Sequence, residues 1–265
     1  NWGEDFSCFR IGLEMAEILA DLQLDQDALV AAILYRAVRE QKITLIELQN
    51  RFGETVSKLV KGVLRMAAIS YQRNEHEDRV LGSQAVEQAE KIRKMLVSMV
   101  DDVRVALIKL AERTCAIRSV KNAEADRRRQ VAREVADIYA PLAHRLGIGH
   151  IKWELEDLSF RYLQPEDYKR IAKLLDERRL ARQEYINNLL ERLRNELKKA
   201  GIEGSVDGRA KHIYSIWRKM QRKGIPFSQV YDIRAVRILV PTVRDCYAVL
   251  GIVHSLWRNI PHEFD

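Results

Sequence analysis

Apolar residues recur at helical spacing through most of the first 200 positions of the chain. Ile11, Met15, Ile18 and Leu19 fall on one face and predict a helix over Arg10 to Leu22. Further helices are predicted over Asp27–Val38 behind a cap-like Asp25, over Thr44–Phe52 with Thr44 as cap, and over Glu54–Ile69 after Gly53. The polar run Ser70–Gly82 lacks apolar periodicity and predicts a loop. Helical patterning returns at Ser83–Met99 and Asp102–Val120. It continues through 122–147, where Pro141 should kink or end a helix near Ala140 and Gly147 suits a C-cap. Ile151–Leu163 is a further amphipathic helix. Glu166–Ala200 reads as one long charged helical stretch, closed by Gly201.

After Gly201 the pattern changes. Short alternating runs, Glu203–Val206 and Ile233–Val240, interleave with helical ones, Lys211–Arg222 and Val243–Trp257. This is an α+β arrangement. Two strands are too few for a stable sheet, so the second domain is expected to be incomplete at Asp265.

Composition narrows the class. Of the 265 residues, 47% are hydrophobic and 31% charged, which fits a globular chain rather than a disordered one. No apolar run approaches the roughly 20 residues that a membrane helix needs, so no membrane association is expected. The first residues, Asn1 to Asp5, lack the basic and apolar regions of a signal peptide. Cys8, Cys115 and Cys246 are odd in number and far apart, a pattern of reduced thiols in a cytoplasmic protein. A net charge of +7 and a sequence pI near 9.3 point to anionic partners: nucleotides, RNA or a membrane surface.

That charge is concentrated where the chemistry is expected. From Arg209 to Phe227 there are six Lys or Arg residues and no acid, and Asp232 follows at the mouth of the next β-like run. Read as a helix from Lys211, the segment puts Lys211, Ser215 and Lys219 on one face. Lys211 then lies in the first turn, where free N–H groups attract anions. Ile213, Ile216, Trp217 and Met220 take the opposite side, facing the sheet. Arg209 offers a guanidinium that can fork onto phosphate. Asp232 is a suitable magnesium ligand beside substrate phosphates. Arg234 shares its strand face, whereas Arg237 lies on the face with apolar residues, a structural position. On the residues alone, a solvated basic helix and an Asp232–Arg234 pair remain open, as does a basic nucleic-acid-binding module. No Gly-rich phosphate loop precedes a Lys-Ser or Lys-Thr pair, and no Ser-His-Asp or Cys-His arrangement is defined by spacing.

The string Gly208-Arg209-Ala210-Lys211-His212-Ile213-Tyr214-Ser215-Ile216-Trp217-Arg218-Lys219-Met220, with Tyr231-Asp232-Ile233-Arg234-Ala235-Val236-Arg237-Ile238, resembles the synthetase domain of the RelA/SpoT family. The run from Ile138 to Leu163 is similar to that family's connector, and the N-terminal helices to its HD-type hydrolase domain. The resemblance implies a mainly α, HD-type helical domain over 1–137, a helical connector over 138–201, and a truncated α+β nucleotidyltransferase-like synthetase domain over 202–265. It also implies an activity: transfer of pyrophosphate from ATP to the 3′ oxygen of GTP or GDP, making (p)ppGpp. Arg209, Lys211, Ser215 and Lys219 match ATP-binding positions, Asp232 the Mg2+ ligand, and Arg234 a possible phosphate contact.

The same resemblance exposes departures in the hydrolase half. Tyr35, Arg36, Arg39 and Glu40 stand where hydrolase-competent members carry His-Asp and Glu-Asp. Ile11 replaces an upstream His, Glu112 a ligand Asp, and Ala116 a substrate-binding Asn. A Tyr and an obligate cation cannot serve as ligands for a hard divalent metal, so this half is expected to be a dead hydrolase. Glu263 and Asp265 match an acidic signature of synthetase-only members, against a basic one in bifunctional members. The family's guanine-stacking Tyr, its catalytic Glu and the regions that engage ribosome and uncharged tRNA are expected beyond residue 265, leaving this stretch inactive in synthesis by itself.

Overall fold

Helix starts in the N-terminal half are written in caps. In the computed structural model, which describes residues 8–76, 93, 102–177, 179–230 and 233–258, Asp25 accepts from the Ala28 N–H at 3.0 Å and opens α2 (Gln26–Arg39). Thr44 and Glu47 form a reciprocal capping box ahead of α3 (Leu45–Phe52). Asp102 accepts from the Arg104 N–H and opens α5 (Val103–Ser119). Two of these caps are tied together, because the Arg104 guanidinium pairs with both Asp102 and Asp25. With α1 (Cys8–Asp21) and α4 (Glu54–His76), these helices form the first part of the N-terminal unit.

Two elements differ from the pattern-based expectation. Helix α4 continues to His76 through the first part of the predicted 70–82 loop. Residues 70–76 contain no Gly or Pro, so nothing in the backbone stops a helix there, polar or not. The rest of that loop and nearly all of the predicted helix 83–99 lie outside the described residues. The second difference is at Pro141. Helix α6 (Ala125–Glu134) does not end before it but widens into a π segment, Val135–Tyr139, and resumes as α7 (Ala140–Arg145), with Pro141 in the first turn. The Ala140 N–H reaches back to the Val135 carbonyl. A wide turn absorbs both the missing proline N–H and its ring clash. Gly147, at φ +75°, closes α7, with its N–H on His144 and that of Ile148 on Ala143. Helix α8 (Gly149–Leu163) follows.

One apolar core runs through this unit. Met15, Leu19, Tyr35, Leu48, Leu59, Ile108, Ile117, Ile138 and Leu155 are all essentially inaccessible. Helices α1 and α2 approach closely at Gly12, where a Cβ would stand 2.6 Å from the Ile33 carbonyl oxygen and 2.9 Å from its Cα.

The C-terminal unit spans Glu166–Asp265. The stretch 166–200 holds two helices, α9 (Pro165–Glu177) and α10 (Arg179–Lys199), with residue 178 outside the described set. Gly201, at φ +68°, ends α10. Strands β1 (Ser205–Ala210) and β2 (Arg234–Leu239) pair antiparallel, with Val206 opposite Ile238 and Gly208 opposite Val236. Helices α11 (Ile213–Lys223) and α12 (Val243–Leu256) complete it. Val206, Val236 and Ile238 pack with Leu193, Leu197 and Val249. The other face carries Asp207, Arg237 and Leu239, all exposed. Arg237 therefore occupies an open part of the sheet rather than a structural position, with Ala235 and Leu239 exposed beside it, whereas Ile233 on the same face is buried. The two units divide within the 138–201 stretch, at Pro165.

The thiols follow the same burial logic. Cys115 is buried and free, with burial pushing its thiol up to about 12, while Cys246 is free and exposed. Gly12→Ala is expected to destabilise the protein by about 1–3 kcal/mol, because the obstructing atoms are backbone and the ~1 kcal/mol gain in helix propensity is smaller. Urea denaturation measures this; a Gly12→Ala variant as stable as the parent would show that α1 and α2 can separate freely.

Candidate functional site

Strand β1 is longer at its C-terminal end than its apolar pattern predicts and contains Arg209, opposite Ala235, and Ala210, opposite Arg234. Gly208 lets β1 lie close to α10. The position of a Cβ there is already 3.4 Å from Ile186 and 3.5 Å from Leu190. The Arg194 guanidinium donates to the Val206 carbonyl at 2.6 Å and fixes the strand to the same helix.

Lys211 is not in the first turn of the following helix. The helix begins at Ile213, with His212 in extended conformation (φ −65°, ψ 147°) as N-cap. The Lys211 N–H continues the strand pairing by donating to the Ile233 carbonyl at 2.9 Å. Lys211 thus lies at the strand–helix junction, and only Ser215 and Lys219 share a helical face. Both are partly buried. On the opposite side Ile216 is fully buried, with Ile213, Trp217 and Met220 partly so; the Tyr214 and Trp217 rings stack at 5.8 Å. Gly224, at φ +62°, ends the helix. Residues 209–211 therefore run beside 233–235, and the chain neighbour of Ile233 is Asp232. Asp232, Glu263 and Asp265 lie outside the described residues.

A second cluster of charge occupies the N-terminal unit, and only part of it was legible as a set of site positions. Both Glu112 oxygens face cations. Oε1 accepts from Arg113 Nη2 at 2.8 Å and lies 3.4 Å from Arg39 Nη1. Oε2 accepts from Arg113 Nε at 2.7 Å and Lys109 Nζ at 2.8 Å. Arg113 also donates to Glu134 Oε2 at 2.8 Å, and its guanidinium lies 5.7 Å from the centre of the Tyr139 ring. Lys109 is 0% exposed, Glu112 4% and Arg113 7%, so these charges interact across a medium that screens them poorly. Burial by itself would raise the Glu112 carboxyl, but Arg113 and Lys109 overcome it and hold it well below the usual carboxylate range. Burial, with Arg113 beside it, pulls the Lys109 ammonium down, against the attraction of Glu112. Lys109, Arg113 and Glu134 escaped the reading of the sequence. The one available signal was a Lys-x-x-Glu-Arg run inside an otherwise apolar helix.

The remaining positions of interest lie in the same unit. Arg36 pairs with Glu40 at 2.8 Å, and Glu40 with Lys42 at 3.1 Å. Ile11 and Ala116 are buried apolar residues. Tyr35 is 0% exposed, and its hydroxyl makes no hydrogen bond of ordinary geometry. Burial, reinforced by Glu112, pushes the phenol up to about 12.

Comparison with known proteins places both units. Residues 1–149 match the family described as HD domain, and residues 208–265 the region found in RelA/SpoT proteins. The chain belongs to the RelA/SpoT family. It is 50% identical over 254 residues to a GTP pyrophosphokinase of Escherichia coli and 41% identical over 252 residues to one of Myxococcus xanthus. It is also 42% identical over 253 residues to a guanosine-3′,5′-bis(diphosphate) 3′-pyrophosphohydrolase of Aquifex aeolicus. These alignments cover 95–96% of the chain but only 32–34% of the relatives, so the chain spans about a third of their length.

Within this RelA/SpoT framework, the metal positions of the HD unit can be tested on their donors. Among the described residues no group of three His, Cys, Asp or Glu side chains is placed to hold a metal ion. Glu112, the one carboxylate matched to a ligand position, has both oxygens engaged by cations, and Tyr35 and Arg36 supply no suitable donor. The residues do not fit a divalent metal.

The Tyr35 phenol gives a pH-dependent expectation. Its folded value lies above the ordinary 10.0, so its contribution to stability is complete below pH 10 and is lost as pH rises toward about 12. Ultraviolet titration is expected to show the Tyr35 phenol resisting ionisation to about pH 12 unless the protein unfolds. Tyr35→Phe should remove that alkaline limb at a cost under about 1 kcal/mol, because the hydroxyl makes no hydrogen bond of ordinary geometry; a loss of several kcal/mol would contradict the assignment.

Proposed function

We propose that the protein to which this chain belongs makes (p)ppGpp by transferring pyrophosphate from ATP to the 3′ oxygen of GTP or GDP. The observation that carries the reading is the strand–helix element from Ser205 to Lys223, with its Arg209–Lys211 segment paired to 233–235. It lies largely within the region matched to RelA/SpoT proteins, and from Arg209 to Lys223 it presents six cations and no acid. Relatives named GTP pyrophosphokinase, up to 50% identical, support the same activity.

In this reading Arg209, Lys211, Ser215 and Lys219 hold the ATP phosphates, and Arg234 adds a phosphate contact. Phosphoryl transfer demands little covalent chemistry of the protein; positioning and charge stabilisation supply most of the acceleration. Lys211, rigid at the strand–helix junction, fixes one anionic oxygen, while Ser215 and Lys219 address the next from a single helical face. The Asp232 carboxylate is a hard oxygen donor of the kind magnesium takes alongside phosphates. When bound, magnesium neutralises charge that builds on the bridging oxygens. The substrates are nucleotides, and ribosome and uncharged tRNA are the proposed partners of the whole protein, in the cytoplasm. No helix among the described residues is long and apolar enough to cross a membrane.

The HD unit, in the same proposal, no longer hydrolyses (p)ppGpp. A bifunctional reading is favoured by the 42% identical relative named as a pyrophosphohydrolase. The donors at 35, 36, 39 and 112 weigh against it.

In the full-length protein, Asp232→Asn and Lys219→Ala are each expected to lower (p)ppGpp formation from labelled ATP by about 10²–10³-fold, the scale of losing one charge-stabilising group. Undiminished output from Asp232→Asn would sink the proposal. Incubation with ppGpp and manganese is expected to release no pyrophosphate; robust release would establish the bifunctional reading instead.

A further inference from the structure

An HD domain that has lost its metal donors still has to hold its helices together at that point. The three helices that meet around Glu112 are joined by charge. Arg39 belongs to α2, Lys109, Glu112 and Arg113 to α5, and Glu134 to the end of α6. Every contact in the chain Arg39–Glu112–Arg113–Glu134 that leaves α5 is an ion pair: 3.4 Å to α2 and 2.8 Å to α6. The Lys109–Glu112 pair, at 2.8 Å, adds a third cation without leaving α5.

We infer that this network does internally what a bound divalent cation would do between helices, so that the N-terminal unit folds and stays folded without any metal. Three features support it. Three cations face two carboxylates, so an incoming dication would meet net repulsion rather than an anionic nest. Both oxygens of Glu112 are already engaged, so metal binding would have to break the pairs with Lys109 and Arg113 and leave those cations buried without partners. Ile11 and Ala116, which the family resemblance sets at a ligand and a substrate position, are buried and have no donor atoms in their side chains.

The inference concerns the architecture of the HD unit and goes beyond the proposed loss of hydrolysis: a protein can fail to hydrolyse (p)ppGpp and still hold a structural metal. The test uses the full-length protein carrying Asp232→Asn, so that the proposed magnesium position does not contribute, purified without metal. Elemental analysis after manganese incubation and gel filtration is expected to find no bound manganese. Thermal unfolding in manganese and in chelator should coincide within about 1 °C, small beside the ~2–4 °C that a single kcal/mol moves a domain of this size. Glu112→Gln, which strands Arg113 and Lys109, is expected to lower the Tm by more than about 5 °C, with no recovery in manganese. Should that variant not fold, Arg39→Gln, at a side chain 39% exposed, gives the reading. Its expected fall is about 2–4 °C, again without recovery in manganese. Stoichiometric manganese in the parent, a Tm lowered by chelator, or an Arg39→Gln protein as stable as the parent would each overturn the inference. None of these results depends on the synthetase assay.

Discussion

A carboxylate buried at 4% exposure is the constraint around which the N-terminal unit is arranged. Left unpaired, Glu112 would cost several kcal/mol; it is tolerated because Arg113 grips it with two nitrogens and Lys109 with a third. That requirement propagates. Arg113 must itself be balanced, which calls for Glu134 at the end of α6, and its guanidinium must lie against a flat apolar surface, which Tyr139 provides. The demand for a fully satisfied polar centre thus fixes the neighbouring helices as firmly as the Leu and Ile residues around it.

The C-terminal unit answers a different constraint. Its two strands have one covered face and one open face, and the basic residues extend from the sheet into the junction before α11 rather than lying on a helix alone. A helix-borne row of lysines would be a mobile, solvated stripe. Here the Lys211 N–H is tied to Ile233, so the backbone at that cation is as fixed as the sheet itself. Preorganised charge of this kind is what pyrophosphate transfer would use, because no reorganisation is needed as the transferring group develops charge.

Much of this was legible in the sequence because local chemistry and tertiary structure agree. Asp25, Thr44 and Gly201 each act at their own helix end, and a reading of caps finds them. The basic string at 209–219 stands out from the rest of the chain through composition. What was not legible depended on distant partners. The start of α11 moved from Lys211 to Ile213 because residue 211 finds its hydrogen bond on another strand, a choice that periodicity cannot see. Strand β1 ran through Gly208 because α10 presses against it. Arg237 fell on an open stretch of the sheet because Ala235 and Leu239 beside it are uncovered. The ion network was half visible: Arg39 and Glu112 were flagged by position, but the roles of Lys109, Arg113 and Glu134 exist only once three helices meet.

The π segment at Val135–Tyr139 sets a phase as well as accommodating a proline. One residue more than an α-helix would use is wound into that turn, and each residue corresponds to about 100° of rotation. The surplus residue is what lets Glu134, before it, and Leu142 and Ala143, after it, all be buried. Deleting one residue from 135–139 would give a more regular helix whose two halves point in different directions. The irregularity is therefore a gearing element, and regularising it would misalign the domain it serves.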